Sequence, residues 1–380
     1  ANTGSGGQPI VALDGIKLYK IGEADEEELL RSDIGDLVDS LANIMEEDMI
    51  SGYEGLVMEI SDVINEAEDA SSIEEWRAKE KEIKAFIQKI QDLKADIADY
   101  EDMLATATLL VEAPEEEQYE AYDAFVSAVE SIQDDVQKAT SENLADYTKK
   151  LQEALNNYYL SQKADANNPA DYTFMIQTPY FTTARAAPSI TRDADGSIAS
   201  VTYPNEADYT AGSAPADGNS EGWYIAGTTG GDQRLNYVQG RVCWNAWRQG
   251  ADDVAIATDL TDLPNGYYTV SAEMITQADY VSNQHLYAKS NLGSAVSTNI
   301  SGGNWNDDNT GYWDYLTTEK VLVNDGKLTI GAIGSAIDGS TNQNGWFCVT
   351  NFRLQYYGEA SAEEIAAAIE ARYAEADALA

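Results

Sequence analysis

Histidine, cysteine and cations are all scarce in this chain. A single histidine, His285, among 380 residues removes multi-histidine zinc sites and most Ser-His or Cys-His nucleophilic constellations. The two cysteines, Cys243 and Cys348, sit in strand-like runs, RVCWNAW and WFCVTNF. Buried free thiols are the reading, and a bridge stays open because sequence cannot show Cα atoms within about 7 Å. Lys and Arg number 23 against 66 Asp and Glu, a net charge of −43. Nucleic acid and anionic lipid are excluded as partners, because both need clustered cations to displace their counterions. No apolar run approaches the ~20 residues that span a bilayer, so membrane insertion is not expected. The chain does not start with a basic stretch followed by an apolar one, so no signal peptide is visible. Phosphate loops, G-x-S-x-G elbows and H-E-x-x-H motifs are missing too.

What is there divides by hydrophobic period. From Glu23 to Asp165 the pattern is helical. Between Ser72 and Glu112, Ile83, Ile90, Ile97 and Leu104 recur every seven residues, and Phe86, Leu93 and Tyr100 follow the first three by three. That is a heptad seam, opened by a Ser72/Glu75 capping box and long enough for a rod of roughly 60 Å. Flanking stripes such as Leu30, Ile34, Leu37, Leu41 and Ile44 need partners, which predicts a bundle under a solvated face of Glu and Asp. Past Pro169 glutamate nearly vanishes, and Gly, Asn, Thr, Tyr and Trp take over in short alternating runs with LPNG and NDG turns. The expected fold class is multi-domain α and β: an acidic helical bundle or coiled-coil stalk, then an antiparallel β-sandwich.

The two ends of the chain resemble each other. With Gly22 laid on Gly358, the stretch IVALDGIKLYKIGEADEEEL (Ile10 to Leu29) shares Leu18/Leu354, Glu23/Glu359, Ala24/Ala360, Glu27/Glu363 and Glu28/Glu364 with WFCVTNFRLQYYGEASAEEI (Trp346 to Ile365). The expected limits follow: 1–22 the closing strand of a preceding sandwich, 23–165 a helical spacer, 166–358 a sandwich, 359–380 the start of the next helical segment. An orphan strand is a sticky edge, so residues 10–21 should pair with a preceding domain or a neighbouring copy.

The runs DLPNGYYTVSAEMITQADYVSNQHLYA, WDYLTTEKVLVNDGKLTIGAIGS and GWFCVTNFRLQYYGE resemble the galactose-binding-like jelly-roll domains of secreted and surface glycan-handling proteins of gut bacteria. The resemblance covers Tyr172 to Gly358. It implies a jelly roll and a non-catalytic, often carbohydrate-binding module, secreted or at the cell surface, strung on helical spacers.

Counting strand reversals places four connections at one end: 248–253, 278–283, 302–312 and 334–345. Sugars stack C–H faces on flat rings and bond hydroxyls to amides and carboxylates. Trp305, Tyr280, Tyr312, Trp313, Asn304 and Asn283 are therefore the candidate glycan contacts, while Trp313 and Trp346 also read as rim packing. Asp307 with Asp308, and the Asp193-x-Asp195-Gly196 turn, are candidate calcium ligands, although Asx-rich turns account for both. Catalysis is not expected. Glycoside hydrolysis needs two facing carboxylates, and the sandwich half has only Glu206, Glu221, Glu273 and Glu319 as glutamates. The expected function is a glycan-binding or adhesive module in a repetitive protein. The alternatives are a structural bead of a surface fibre or an accessory segment of a glycan-degrading enzyme.

Overall fold

The computed structural model describes residues 2–3, 9–10, 25–112, 121–183, 187–204, 206–247, 253–276, 283–301, 313–335 and 346–379. Two compact units result, one of 1–97 with 135–144 and the other of 98–134 with 145–380.

In the first unit β1 (Asn2–Thr3) pairs antiparallel with β2 (Pro9–Ile10), and residues 11–21 of the expected terminal strand lie outside the described residues. Helices α1 (Glu26–Met45), α2 (Asp48–Ser51) and α3 (Glu54–Glu68) precede the first part of α4 (Ile73–Glu112). The Asp25 carboxylate caps α1 by accepting from the Glu27 amide at 3.2 Å. The predicted capping box opens α4: Ser72 Oγ accepts from the Glu75 amide at 3.3 Å, and the Glu75 carboxylate accepts from the amides of Ser71 and Ser72. Those bonds, the Ser71 amide foremost, hold the Glu75 carboxyl below its ordinary range. Ile83, Ile90 and Ile97 are fully buried at the predicted seven-residue spacing, as are Leu41, Leu56 and Ile60. Each such side chain contributes about 1.5–3 kcal/mol relative to exposure, which is why the apolar stripes rather than the carboxylates define the helices.

The second unit begins with the end of α4, followed by α5 (Tyr122–Val136) and α6 (Leu144–Leu160). Phe125 stacks on Tyr158 with ring centroids 4.6 Å apart. Fourteen strands follow. The first seven are β3 (Ala170–Asp171), β4 (Ser189–Arg192), β5 (Ile198–Thr202), β6 (Trp223–Ile225), β7 (Asp232–Val238), β8 (Arg241–Trp247) and β9 (Val254–Leu260). Then come β10 (Gly266–Thr276), β11 (Asn283–Lys289), β12 (Ser294–Val296), β13 (Asp314–Thr317), β14 (Val321–Val323), β15 (Leu328–Ser335) and β16 (Trp346–Tyr356). The capping box of Ser361 and Glu364 opens the closing helix, α7 (Ala362–Leu379).

Two antiparallel sheets face each other. A seven-stranded sheet runs β13-β10-β16-β8-β7, with β14 also on β10 and β3 on β16; a five-stranded sheet runs β12-β11-β15-β9-β6. Alternation sends Val242, Trp244, Val270, Met274, Phe347 and Leu354 of the first sheet against Ile256, Leu286, Ile330 and Ala332 of the second. This is the sandwich the alternating runs predict. Pairing registers place Trp247, Thr276, Asp314 and Trp346 at one end of the first sheet, and Val254, Asn283 and Ser335 at the same end of the second. The flanks of the four predicted connections therefore share one end. At the other, Leu263 donates its amide to Gly326 O at 3.1 Å, so both Asn-Gly and Asp-Gly turns sit there.

Aromatic rings tie α6 to that lower end. Tyr159 stacks on Phe174 at 5.0 Å, and Tyr172 stacks on Tyr356 at 5.0 Å while its hydroxyl donates to Leu160 O. Gly358 ends β16 with φ +90°, and a Cβ there would lie 2.6 Å from Ala164 O; no L side chain fits.

Candidate functional site

A cleft of about 460 Å³ opens on the outer face of the seven-stranded sheet where β7, β8 and β16 meet. Its origin is the strand period. Trp244 and Trp247 are three residues apart in β8, so they must point to opposite faces; Trp244 enters the core and Trp247 stays outside, 39% exposed. The register then sets Asp232, Trp247 and Trp346 in one transverse row, with Arg234, Asn245 and Cys348 in the next.

Asn245 organises the floor. Its Oδ1 accepts from Trp346 Nε1 at 2.6 Å, from Asn236 Nδ2 at 3.4 Å and from Cys348 Sγ at 3.5 Å. These bonds fix the Trp346 indole, 9% exposed, beside the open Trp247 ring. Arg234 and Asp232 form an ion pair of 3.3 Å at the rim. Beside the floor, on the same face of the sheet, Val238, Cys243, Ile275, Trp346 and Cys348 make a small apolar cluster. Both cysteines are free and buried. Burial, then a hydrogen bond with Cys243, pushes the Cys348 thiol far up, so it stays protonated and is no nucleophile.

Deeper along the same face, Glu273 is 3% exposed and bidentate with Arg241, at 2.7 Å to Nε and 3.2 Å to Nη2, and it also accepts from Asn351 Nδ2. Asn351 occupies the β16 irregularity with φ 55°, where an Asn is tolerated. The pairing locks this carboxylate as part of the sheet.

Of the predicted contacts, Trp305, Tyr280, Tyr312 and Asn304 lie outside the described residues, as do Asp307 and Asp308. Trp313 packs against the apolar cluster beside the cleft and donates Nε1 to Gln239 O at 3.4 Å. Asn283 opens β11 on the other sheet, exposed and paired with Ser335, so it does not join the cleft. In the Asp193–Asp195 turn, Asp195 accepts from the amide and hydroxyl of Ser197, at 3.0 and 2.6 Å, as an Asx turn does. Among the described residues no group of three or more His, Cys, Asp or Glu is placed to hold a metal ion, and no helix is long and apolar enough to cross a membrane.

Sequence reasoning missed β7 and with it Arg234 and Asn236. The signal was available: Gln239 and Gly240, with φ 43° and 75°, form a two-residue hairpin turn of the type that Asn-Gly usually makes.

No family model matches the chain, and no curated protein matches it either. Among solved structures, a family 61 carbohydrate-binding module in complex with β-1,4-galactotriose is 15% identical, with 35% of this chain and 88% of that one covered and a TM-score of 0.27. The family 11 module from Clostridium thermocellum, in complex with a β-1,3-1,4-mixed-linked tetrasaccharide, is 13% identical over 37% of this chain and 93% of that one, with a TM-score of 0.25. An enzymatically active domain of a bacteriophage CBA120 tailspike is 12% identical over 35% and 19%, also with a TM-score of 0.25. At this distance the fold rests on the chain's own sheets.

Proposed function

We propose that the sandwich is a non-catalytic carbohydrate-binding module, carried on a helical spacer within a larger repetitive, secreted or surface protein. The observation that carries this reading is the cleft, in which one open indole and one fixed indole stand among Asn236, Asn245, Asp232 and Arg234. Flat rings take the C–H faces of a pyranose, and the amides and the ion pair offer donors and acceptors to its hydroxyls. Binding rather than hydrolysis fits the described lining, where Asp232 is the one carboxylate and Arg234 holds it. The strand ends flanking residues 302–312 share the cleft's end of the sandwich, so Trp305 is a further candidate contact.

A glycan array probed with the full chain tests the reading. Binding is expected, with Trp247→Ala weakening it about tenfold, the weight of a lost aromatic contact. A blank array rejects the reading and leaves the structural-bead alternative, whereas binding unchanged in both Trp247→Ala and Trp305→Ala keeps the binding class and rejects the cleft as its site. The repeat has its own test in the coding sequence beyond Ala1 and Ala380. A second sandwich with the same Trp-Phe closing strand is expected there, with residues 10–21 pairing into a preceding copy; unrelated flanks remove the repeat.

A further inference from the structure

The five-stranded sheet turns a second prepared surface to solvent, on the opposite side of the sandwich from the cleft. Its register builds one transverse row: Tyr224 pairs with Ala257, Ala257 with Gly331, Gly331 with Tyr287, and Tyr287 with Val296. Because their neighbours Ile256, Leu286, Ala288, Ile330 and Ala332 fill the core, alternation turns this row outward. The two smallest residues stand at its centre and the rings flank them. A Cβ on Gly331 would come within 2.8 Å of the Tyr287 hydroxyl and 2.9 Å of its Cζ, so the Tyr287 ring lies over bare backbone. Tyr224 is 45% and Val296 49% exposed, two of the large apolar side chains the sandwich leaves in water.

The next row is polar and ordered: Asp259 pairs with Thr329, and Thr329 with Lys289. The Asp259 carboxylate accepts from Tyr224 Oη at 3.2 Å and from Thr329 Oγ1 at 2.6 Å, which fixes one ring and one hydroxyl side by side. A groove of about 440 Å³ runs along the two rows, with Lys289, Lys327, Asp325 and Thr329 on its polar side. Two lysines stand against Asp259 and Asp325, so the surface selects for neither sign of charge.

We propose that this face is a second carbohydrate-binding surface, which takes the interior of an unbranched neutral polysaccharide laid across the strands. The rings receive C–H faces, and the Asp259, Thr329 and Lys289 row bonds the hydroxyl edge. The backbones of Tyr224 and Tyr287 stand three strand spacings apart, about 14 Å, with the Tyr287 ring leaning over Gly331 between them, so the row offers a run of sugars more contact than a terminal one. The site is independent of the Trp247 cleft.

Affinity electrophoresis of the full chain in gels containing soluble xylan, mixed-linkage glucan or β-1,4-galactan tests the proposal. Retardation is expected in at least one gel, weakened about 3- to 10-fold by Tyr224→Ala and again by Asp259→Ala. Both side chains are at the surface, so folding is preserved, and a thermal melt confirms it. Trp247→Ala is expected to keep the part of the retardation that Tyr224→Ala removes, which separates failure of this site from failure of the cleft. No retardation in any of the three gels, or equal retardation of wild type and Tyr224→Ala, overturns the proposal.

Discussion

Residues 23–165 hold 39 acidic and 11 basic side chains; residues 166–358, a longer stretch, hold 20 and 9. Where the charges go differs more than their number. In the helices they stay in water: Lys84 and Glu80 pair at 2.5 Å with the lysine 58% exposed, while Ile83, Ile90 and Ile97 form a core without charge. In the sandwich, Arg241 and Glu273 pair with side chains only 16% and 4% exposed, inside the outer face of a sheet. Coulomb attraction is the same in both, but solvent screens one pair and barely reaches the other. Charge keeps the helical region solvated, whereas in the sandwich one charge pair has become a structural member.

The comparison can be broken at its two strongest points, because the probes separate. Six of the seven tryptophans belong to the sandwich half and only Trp76 to the helices, so indole fluorescence follows one and helical circular dichroism the other. Glu273→Ala is expected to cost about 3–5 kcal/mol in the fluorescence-detected urea transition, because it leaves Arg241 buried without its partner. Ile90→Ala is expected to cost about 2–5 kcal/mol in the dichroism-detected transition, since it opens a cavity in a fully buried seam. Lys84→Ala serves as the contrast and should leave both midpoints in place. An unmoved midpoint for Glu273→Ala, or a shift for Lys84→Ala as large as that for Ile90→Ala, would erase the distinction.

Period and turn chemistry made much of the fold legible. The seven-residue spacing located α4 to within one residue of its start, and Ser72, Glu75, Ser361 and Glu364 marked two caps that the structure forms bond for bond. Beyond Tyr100 the seam drifts, and the small Ala107 rather than Leu104 takes the fully buried position, because 3.6 residues per turn do not divide seven. The sandwich was readable wherever apolar residues alternate, as in β10 and β16. Strand β7 was not, because its outward residues Asp232, Arg234 and Asn236 look like loop composition until β8 is laid beside them. The cleft was hidden for the same reason. Trp247 becomes informative only when the register brings Trp346 to it from 99 residues away in sequence. Asn245 gave no signal at all, since a buried amide that accepts from Trp346 on β16 and Asn236 on β7 is defined by its partners.

The smallest expected effect sharpens the comparison by pH. His285, the chain's one histidine, lies on β11 with its Nδ1 buried and without a hydrogen-bond partner among the described residues. Burial lowers its pKa below the ordinary imidazole value, against weaker raising contributions from Asn299 and the Asp253 carboxylate. The unfolded chain then binds the proton first. Stability tied to neutral His285 is therefore fully present above about pH 6.5 and lost as pH falls from there toward the lowered folded value. In the helices Glu75 runs the other way: its lowered pKa stabilises above the ordinary carboxylate value of about 4.3 and is lost only below it. Between pH 7.5 and 5.5 the fluorescence midpoint should fall while the dichroism midpoint holds, and His285→Gln should flatten the first slope. If the slope survives that substitution, the pH response of the sandwich belongs to its carboxylates, and the two regions differ in where charge sits but not in how it titrates.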